Sequence, residues 1–149
     1  MSVTITYQNL YDATADAIVI TVNCGGIMGK GVAEGFKKKW PMQYLDYRRR
    51  CKGGLLQPGR INVEDCYQIG NGRYAILMPT KSIWQRNSQI SWIETGLADL
   101  LGHCHRLSLD SIAIPPPGCG NGGLDFDKEV KPLIIDMFEG ESIDVTVCI

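Results

Sequence analysis

The sequence of 149 residues lacks the long apolar runs and the charge excess that mark many membrane and nucleic-acid-binding proteins. Its longest apolar stretch, Ala17 to Ile20, is far too short to cross a bilayer. Met1 to Thr6 alternates polar and apolar residues without a basic region, unlike a signal peptide. The net charge of −1, from 15 basic and 16 acidic residues, disfavours a general nucleic-acid binder but allows contact with one modified base. We expect a cytoplasmic protein without a membrane partner.

The sequence also lacks metal-binding patterns. None of the six cysteines forms a Cys-x-x-Cys pair, and their spacings match no zinc site. Free thiols are the favoured interpretation, because the chain has no leader and has enough apolar residues for a core. His103, Cys104 and His105 are adjacent and would point to different sides of a helix, so a polar turn near a helix end is favoured over a metal site. We expect neither a metal nor a cofactor.

The standard phosphate-binding motifs are missing as well. A P-loop ending at Gly29 and Lys30 would need glycine at position 24 and Ser or Thr at position 31, but the chain has Cys24 and Gly31. A dinucleotide motif starting at Gly29 would need its third glycine where Glu34 stands. No Ser/His/Asp arrangement is visible either. Kinase and hydride-transfer functions are therefore disfavoured.

What the sequence does contain is a regular alternation of strand and helix patterns, without repeats or an internal boundary. It predicts a single domain over residues 1–149, with an α/β fold in which helices cover both faces of a mixed or parallel sheet, a three-layer α/β/α arrangement. The predicted strands are Val3–Tyr7, Ala17–Asn23, Arg60–Cys66, Arg73–Met78, Ser111–Ile114 and Ile143–Cys148, with a turn at Gly70-Asn71-Gly72. The predicted helices are Gly31–Arg50, interrupted at Pro41, then Ser88–Leu107, and one capped by Asp127 that carries Val130, Leu133, Ile134 and Met137.

Two glycine-rich loops, Gly25–Gly31 and Gly118–Gly123, each follow a predicted buried strand, which is where ligands bind in open α/β sheets. Their glycines allow close approach of the backbone, and their amides can hold phosphate oxygens; tight turns alone are the alternative. Asn23 can offer a donor and an acceptor to ribose hydroxyls, or can simply form a turn. Lys81 lies at a strand end, where a crowded site can make an amine nucleophilic, although a solvated lysine is the alternative. The Trp84 side chain could stack against a ligand or pack in the apolar core.

Three segments together resemble the macrodomain family of ADP-ribose-binding α/β/α modules, and the resemblance extends from Val3 to Cys148. They are TVNCGGIMGKGVA at 21–33, MPTKSIW at 78–84 and IPPPGCGNGGLDF at 114–126. The middle segment makes the chain similar to the DarG-like branch, which consists of antitoxin DNA ADP-ribosyl glycohydrolases related to terminal ADP-ribose protein glycohydrolases. The resemblance implies an antitoxin-like hydrolase that removes ADP-ribose from ADP-ribosylated thymidine in DNA. It also implies an ADP-ribosylated single-stranded DNA and a cognate ADP-ribosyltransferase toxin as candidate partners.

The resemblance also implies a role for each matching residue. Lys81 and Asn23 would be catalytic: Asn23 would contact the distal ribose, and Lys81 would attack or polarise its anomeric carbon, with ring opening and a Schiff-base-like intermediate as one route. If Lys81 stays protonated, it would act as an electrostatic or acid element instead of a nucleophile. The remaining ADP-ribose-binding residues would be Asn9 and Leu10 on the adenine side, Gly29, Lys30, Gly31, Val32 and Ala33 around the ribose and diphosphate, Thr80 and Trp84, and Gly118, Cys119, Gly120, Asn121, Gly122, Gly123 and Leu124 around the diphosphate.

The chain departs from the family pattern in three places. Asn9 stands where an aspartate usually lies on the adenine side. The second glycine-rich loop has no acidic residue of the kind that assists the lysine in the protein glycohydrolases; Asp125 comes just after it, and no general acid or base is assigned. DarG-like antitoxins usually carry a further, toxin-binding domain after the macrodomain, whereas this sequence ends at Ile149. We therefore expect either an excised domain or a free-standing relative.

Two other functions stay open at this stage. One is a different hydrolase, acting on ADP-ribose 1″-phosphate, O-acetyl-ADP-ribose or protein-linked ADP-ribose; the other is a non-catalytic ADP-ribose reader. Contacts to DNA would come from residues near the predicted site, or from a basic patch on one helix for which a solvated face is an equal alternative. The residues near the predicted site are Lys81, Trp84, Gln85 and Arg86. The basic patch would consist of Lys37, Lys38, Lys39, Arg48, Arg49 and Arg50.

Overall fold

The computed structural model describes residues 2–70 and 72–149 and contains one six-stranded sheet. In chain order its elements are β1 (Val3–Thr6), β2 (Ala17–Asn23), α1 (Gly31–Lys39), α2 (Pro41–Lys52), β3 (Cys66–Ile69), β4 (Arg73–Lys81), α3 (Ile90–Arg106), β5 (Ser111–Ile114), α4 (Lys131–Phe138) and β6 (Asp144–Cys148). The spatial order is β1-β6-β5-β2-β4-β3, with all neighbours parallel except the antiparallel pair β3 and β4. The predicted central mixed sheet is therefore confirmed.

Alternate residues of β2 point into two separate apolar cores, one on each face of the sheet. Val19 packs with α3 and α4 side chains, including Leu97 and Ile134. Ile18 and Ile20 pack in the other core, with Phe36 of α1 and Tyr47 of α2. A strand buried on both faces needs a continuous run of apolar, β-branched residues, which AIVITVN supplies. The result is the expected three-layer α/β/α arrangement.

The predicted break at Pro41 is confirmed. Lys39 ends α1, and Pro41 is the first residue of α2, where its missing amide proton costs no intrahelical hydrogen bond. No helix in the described residues is long and apolar enough to cross a membrane. His103 and His105 both lie in the last turn of α3, in agreement with the predicted helix end.

The strand predicted at 60–66 is wrong, and the strand predicted at 73–78 extends to Lys81. Residues 60–65 are not a strand, because Asn62 and Asp65 close a capping box around a short 3₁₀ turn, in which the Asn62 amide donates to the Asp65 carboxylate at 2.9 Å. The strand in this region is β3, which begins at Cys66. Asn71, in the predicted turn before β4, lies outside the described residues.

The cap of the last helical segment is also misplaced in the prediction. Asp125, and not Asp127, caps it, by accepting a hydrogen bond from the Lys128 amide at 2.9 Å. A π-helical turn over Phe126–Val130 then leads into α4. Because this turn begins at Phe126, the cap lies two residues before the predicted Asp127.

Candidate active site

A cavity of about 790 Å³ opens at the carboxyl ends of β2, β4 and β5. Its volume lies in the range of ligand pockets, and its position is the crevice where parallel sheets bind ligands. The end of β2, the start of α1, the end of β4 and the loop after β5 supply its walls. The lining residues are Thr21, Val22, Asn23, Ile27, Gly29, Lys30, Gly31, Val32, Ala33, Thr80, Lys81, Trp84, Gln85, Pro115, Pro116, Gly118, Cys119, Gly120, Asn121 and Gly122.

A β-bulge brings the two predicted catalytic residues to the same level of the sheet. Val22 pairs with Pro79 and Asn23 pairs with Lys81, so Thr80 is an extra residue on β4. The Cys24 amide donates to the Lys81 carbonyl at 3.0 Å, which holds the two strand ends together beyond the bulge. Bulges commonly re-aim side chains beside active sites. Here the bulge places Asn23 and Lys81 opposite each other at the cavity wall.

The Asn23 side chain, 9% exposed, holds the first glycine-rich loop in shape. Its amide nitrogen donates to the Ile27 carbonyl at 2.8 Å, and its oxygen accepts from the Gly25 amide at 2.9 Å. The buried Tyr47 hydroxyl donates to the Asn23 main-chain carbonyl at 2.6 Å. One N–H of the Asn23 amide remains for a ligand after the bond to Ile27. Asn23 therefore combines a positioning role with a place on the cavity wall.

Lys81 has an environment that disfavours its charged form. Partial burial, together with the positive charge of Lys30, lowers the pKa of the Lys81 ammonium below its ordinary value. Its Nζ donates to the Trp84 carbonyl at 3.2 Å, which orients the amine. No aspartate or glutamate is among the lining residues, all of which lie in the described part of the chain. Thus no carboxylate of the cavity wall offsets the two cations.

The first turn of α1 faces the cavity and is suited to binding an anion. Gly31, Val32 and Ala33 line the cavity, and the Glu34 amide is the first to bond back, to the Lys30 carbonyl. The three preceding amides belong to the unpaired N-terminal groups that every helix presents. Amides at a helix start, together with the positive end of its dipole, attract phosphate oxygens.

The second glycine-rich loop is built more tightly than the sequence indicates. Gly118 has φ +76°, and a Cβ there would lie 2.8 Å from side-chain carbons of Ile93 and Leu124. The amides of Cys119, Gly122, Gly123 and Leu124 donate to carbonyls of residues 116–120. The parallel bridge between Cys119 and Leu124 engages the Gly120 amide. Within the described residues of this loop, Asn121 lines the cavity and its amide bonds to no backbone carbonyl, so this amide is free for a ligand.

The cavity also contains a thiol that is unsuited to nucleophilic attack. Burial raises the pKa of the Cys119 thiol to about 11, and that of Cys24, next to Asn23 in the chain, to about 12. Attack requires the thiolate, which these pKa values make scarce near neutral pH. All six cysteines are free thiols. The lysine is therefore the better nucleophile of the site.

Four residues predicted for the site do not line the cavity. Leu10 is buried in the core on the α1 side, and the Asn9 side chain accepts from the Tyr11 amide as the cap of a 3₁₀ turn at Leu10–Asp12. Gly123 and Leu124 lie past the lining part of the second loop. Arg86, which was expected near the site, does not line it either, whereas Trp84, half-exposed, does.

The prediction missed five lining residues, and each had a positional signal. Thr21 and Val22 precede Asn23 at the carboxyl end of β2, and Pro115 and Pro116 directly follow β5. Strand ends of this kind are where α/β sheets carry their ligand sites. Ile27 lies within the first loop and could have been included with its glycines. Among residues 2–70 and 72–149, no group of three or more His, Cys, Asp or Glu side chains is arranged to hold a metal ion.

The chain belongs to the Macro domain family, whose family model matches residues 19–132. A more specific likeness is to DarG proteins. A DNA ADP-ribosyl glycohydrolase of Thermus aquaticus is 43% identical over 140 residues, which cover 93% of this chain and 39% of that protein. The chain thus spans about two-fifths of the length of the curated relatives that it matches over most of its own length.

Solved structures show the same likeness. The macrodomain of Mycobacterium tuberculosis DarG superposes with a TM-score of 0.91 at 33% identity, covering 99% of this chain and 97% of that one. Thermosipho africanus DarTG, solved in complex with ADP-ribose, gives a TM-score of 0.87 at 26% identity, covering 98% of this chain and 41% of that one. The resemblance to macrodomains of the DarG branch is confirmed.

Proposed function

We propose that this protein removes ADP-ribose from ADP-ribosylated thymidine in DNA. The observation that carries the proposal is the pairing of Lys81 with Asn23 at the carboxyl edge of the sheet, in a cavity wall without a carboxylate. The names of its relatives, DNA ADP-ribosyl glycohydrolases, support the same activity. A transferase–glycohydrolase fusion protein is also among the relatives, which supports a cognate ADP-ribosyltransferase toxin as partner. Free thiols suit the reducing cytoplasm, where we place the activity.

In the proposed complex, each part of the cavity binds one part of ADP-ribose. The α1 amides of residues 31–33 and the Asn121 amide hold the diphosphate from two sides. Lys30, at the start of α1, adds a positive charge. The ribose that carries the base lies between Asn23 and Lys81, and its hydroxyls bond the free N–H of the Asn23 amide. This arrangement brings the anomeric carbon within reach of the lysine amine.

The mechanism uses Lys81 as the nucleophile. Its neutral amine attacks C1″ of the ribose, the bond from C1″ to the thymine nitrogen breaks, and this nitrogen leaves with the proton that Nζ loses. Water then cleaves the new C1″–Nζ bond, giving its hydroxyl to C1″ and its proton to Nζ. The products are free ADP-ribose, an unmodified base and the original lysine. The lowered pKa of Lys81 serves the first step, because only the neutral amine has a lone pair to donate.

The direct test uses a single-stranded oligonucleotide with one ADP-ribosylated thymidine. We expect the protein to convert it to the unmodified oligonucleotide and free ADP-ribose, both measured by mass spectrometry. ADP-ribose 1″-phosphate and ADP-ribosylated protein serve as comparison substrates. Release of phosphate from the first, or of ADP-ribose from the second, without action on the oligonucleotide would replace the proposed activity with one of the other hydrolase functions. Binding of ADP-ribose without turnover of any substrate would indicate a reader.

The positive charge of Lys30 near Lys81 predicts how the activity of a Lys30 variant should depend on pH. Lys30→Gln removes a positive charge that lowers the pKa of Lys81, so that pKa should rise toward its ordinary value. Activity increases with pH as Lys81 loses its proton, and in the variant we expect this rise to occur at higher pH. The measurement is the pH profile of kcat with the oligonucleotide. Lys38→Gln is the matched control, because Lys38 pairs with Glu34 on α1 outside the cavity and should leave the profile in place. If kcat of Lys30→Gln rises at the same pH as kcat of the wild type, the proposed effect of Lys30 on the pKa of Lys81 is contradicted.

A further inference from the structure

A second, smaller cavity lies on the other side of the first glycine-rich loop. We call it the basic groove; its volume is about 340 Å³. Residues 25–29 form one wall, and the side chains of Lys37, Tyr44, Arg48 and Lys52, from α1 and α2, form the rest. Ile27 and Gly29 line both the basic groove and the main cavity. One stretch of backbone therefore separates the two.

The charges of the basic groove are not neutralised by neighbouring acids. No Asp or Glu lines it, and within the described part of the chain none of Lys37, Arg48 and Lys52 takes part in an ion pair. Other basic residues of the same two helices are paired: Lys38 with Glu34, and Arg50 with Asp46 and Asp65. Arg50 is buried, so of the six residues considered for a basic patch from the sequence it is not part of a basic surface. Three cations of these helices without an ion pair, Lys37, Arg48 and Lys52, therefore line the basic groove, whereas Lys39 and Arg49, which take part in no ion pair within the described residues either, do not line it.

The shape and location of the basic groove favour a phosphate as its occupant. Its volume is at the lower end for ligand pockets, so it suits a small anionic group better than a second nucleotide. The Lys37 ammonium lies 4.8 Å from the centre of the Tyr44 ring, which holds one cation at the groove wall. The basic groove also adjoins the reactive end of the main cavity, because the Asn23 amide holds the Ile27 carbonyl in the shared wall.

We propose that the basic groove binds phosphates of the DNA strand that flank the modified nucleotide. This inference rests on the proposed function. Cleavage between C1″ and the base requires the DNA to leave the main cavity near Asn23 and Lys81, and the basic groove is beside that exit. A sugar–phosphate backbone carries regularly spaced anions, which three unpaired cations in one groove would hold without reading the base sequence. The basic groove then orients the strand while the main cavity holds ADP-ribose.

The test compares two double variants with the same loss of charge. Lys37→Gln with Arg48→Gln removes two groove cations, whereas Lys38→Gln with Arg49→Gln removes the neighbouring cation on each helix outside the groove. Substrates are an ADP-ribosylated single-stranded oligonucleotide and ADP-ribosylated thymidine without flanking phosphates. For the groove variant we expect a roughly tenfold higher KM on the oligonucleotide, with the nucleoside unchanged. The slope of log KM against log salt should fall by about 1.4, since each lost phosphate contact contributes about 0.7 on single strands. The control pair should change KM less than twofold.

Equal effects of the two variants, or none, would overturn the proposal. Fluorescence anisotropy with a labelled, unmodified oligonucleotide gives a readout independent of turnover. Weaker binding only in the groove variant supports phosphate binding in the basic groove even if the proposed activity fails. Calorimetry with ADP-ribose tests the remaining alternative, in which the basic groove binds a second nucleotide. Two bound ADP-ribose molecules per chain in the wild type, reduced to one in the groove variant, would make the groove a nucleotide pocket and contradict the proposal.

Discussion

Replacing Lys81 with alanine should lower kcat on ADP-ribosylated DNA by about 10³-fold or more, because the variant has no amine to attack C1″. The affinity for ADP-ribose should stay within about threefold, since the α1 amides and the second loop, which hold the diphosphate, are unchanged. Burst or single-turnover kinetics on the oligonucleotide and calorimetry with ADP-ribose measure the two quantities. The folding control is the calorimetric affinity itself.

Lys81→Arg distinguishes a nucleophile from a positive charge. Arginine keeps the charge but remains protonated, so it cannot form the C1″–Nζ bond. We expect it to be nearly as inactive as the alanine variant. If kcat of Lys81→Arg lies within about tenfold of the wild-type value, position 81 acts by electrostatic stabilisation, and the covalent step is contradicted.

The second large effect is on stability, and it concerns the buried ion pair of Arg50 and Asp65. Asp65 is fully buried, and its carboxylate accepts hydrogen bonds from the Arg50 guanidinium and the Asn62 amide. Burial raises the pKa of Asp65 although both partners oppose the rise, which shows how costly this position is for a charge. Arg50→Ala should lower the free energy of unfolding by about 3–5 kcal/mol, because it leaves that carboxylate without its cation.

Urea denaturation measures this loss, and two variants serve as controls. Arg49→Ala changes an exposed arginine on the same helix and should alter the free energy of unfolding by about 0.5 kcal/mol or less. Arg50→Met combined with Asp65→Leu removes both charges and should recover most of the stability lost in Arg50→Ala, because no buried charge is left unpaired. A double variant as unstable as Arg50→Ala would show that packing, and not charge, dominates at this position.

The central strand and the helix break were predictable because single residues or short runs determine them. The β-branched run Ala17–Asn23 favours a strand buried on both faces, and Pro41 suits the first turn of a helix but disrupts a helix interior. The strand predicted at 60–66 failed because its alternating pattern, with Ile61 and Val63, competes with the capping box of Asn62 and Asp65. That box depends on two side chains meeting in space, which hydrophobic periodicity does not register.

The candidate site was predictable to the level of strand ends but not of register. Asn23 ends the predicted strand Ala17–Asn23, Lys81 follows the predicted strand Arg73–Met78 by three residues, and parallel strand ends meet at one edge of the sheet. That they stand directly opposite one another depends on the extra residue Thr80, and no turn or glycine signal indicates this bulge. Asn9 and Leu10 were placed by resemblance alone; neither lines the cavity, and Leu10 packs in the core.

The uneven distribution of charge along the chain has a consequence for how a substrate arrives. Residues 31–52 contain seven of the fifteen basic residues and two of the sixteen acidic ones, so a nearly neutral protein has one positive side and an acidic remainder. The molecule is thus an electric dipole whose positive end includes the basic groove. A polyanion diffusing nearby exerts a torque on such a dipole and turns this end toward itself before contact. The torque acts over about 8 Å at physiological ionic strength, so association should be faster and better oriented in dilute salt.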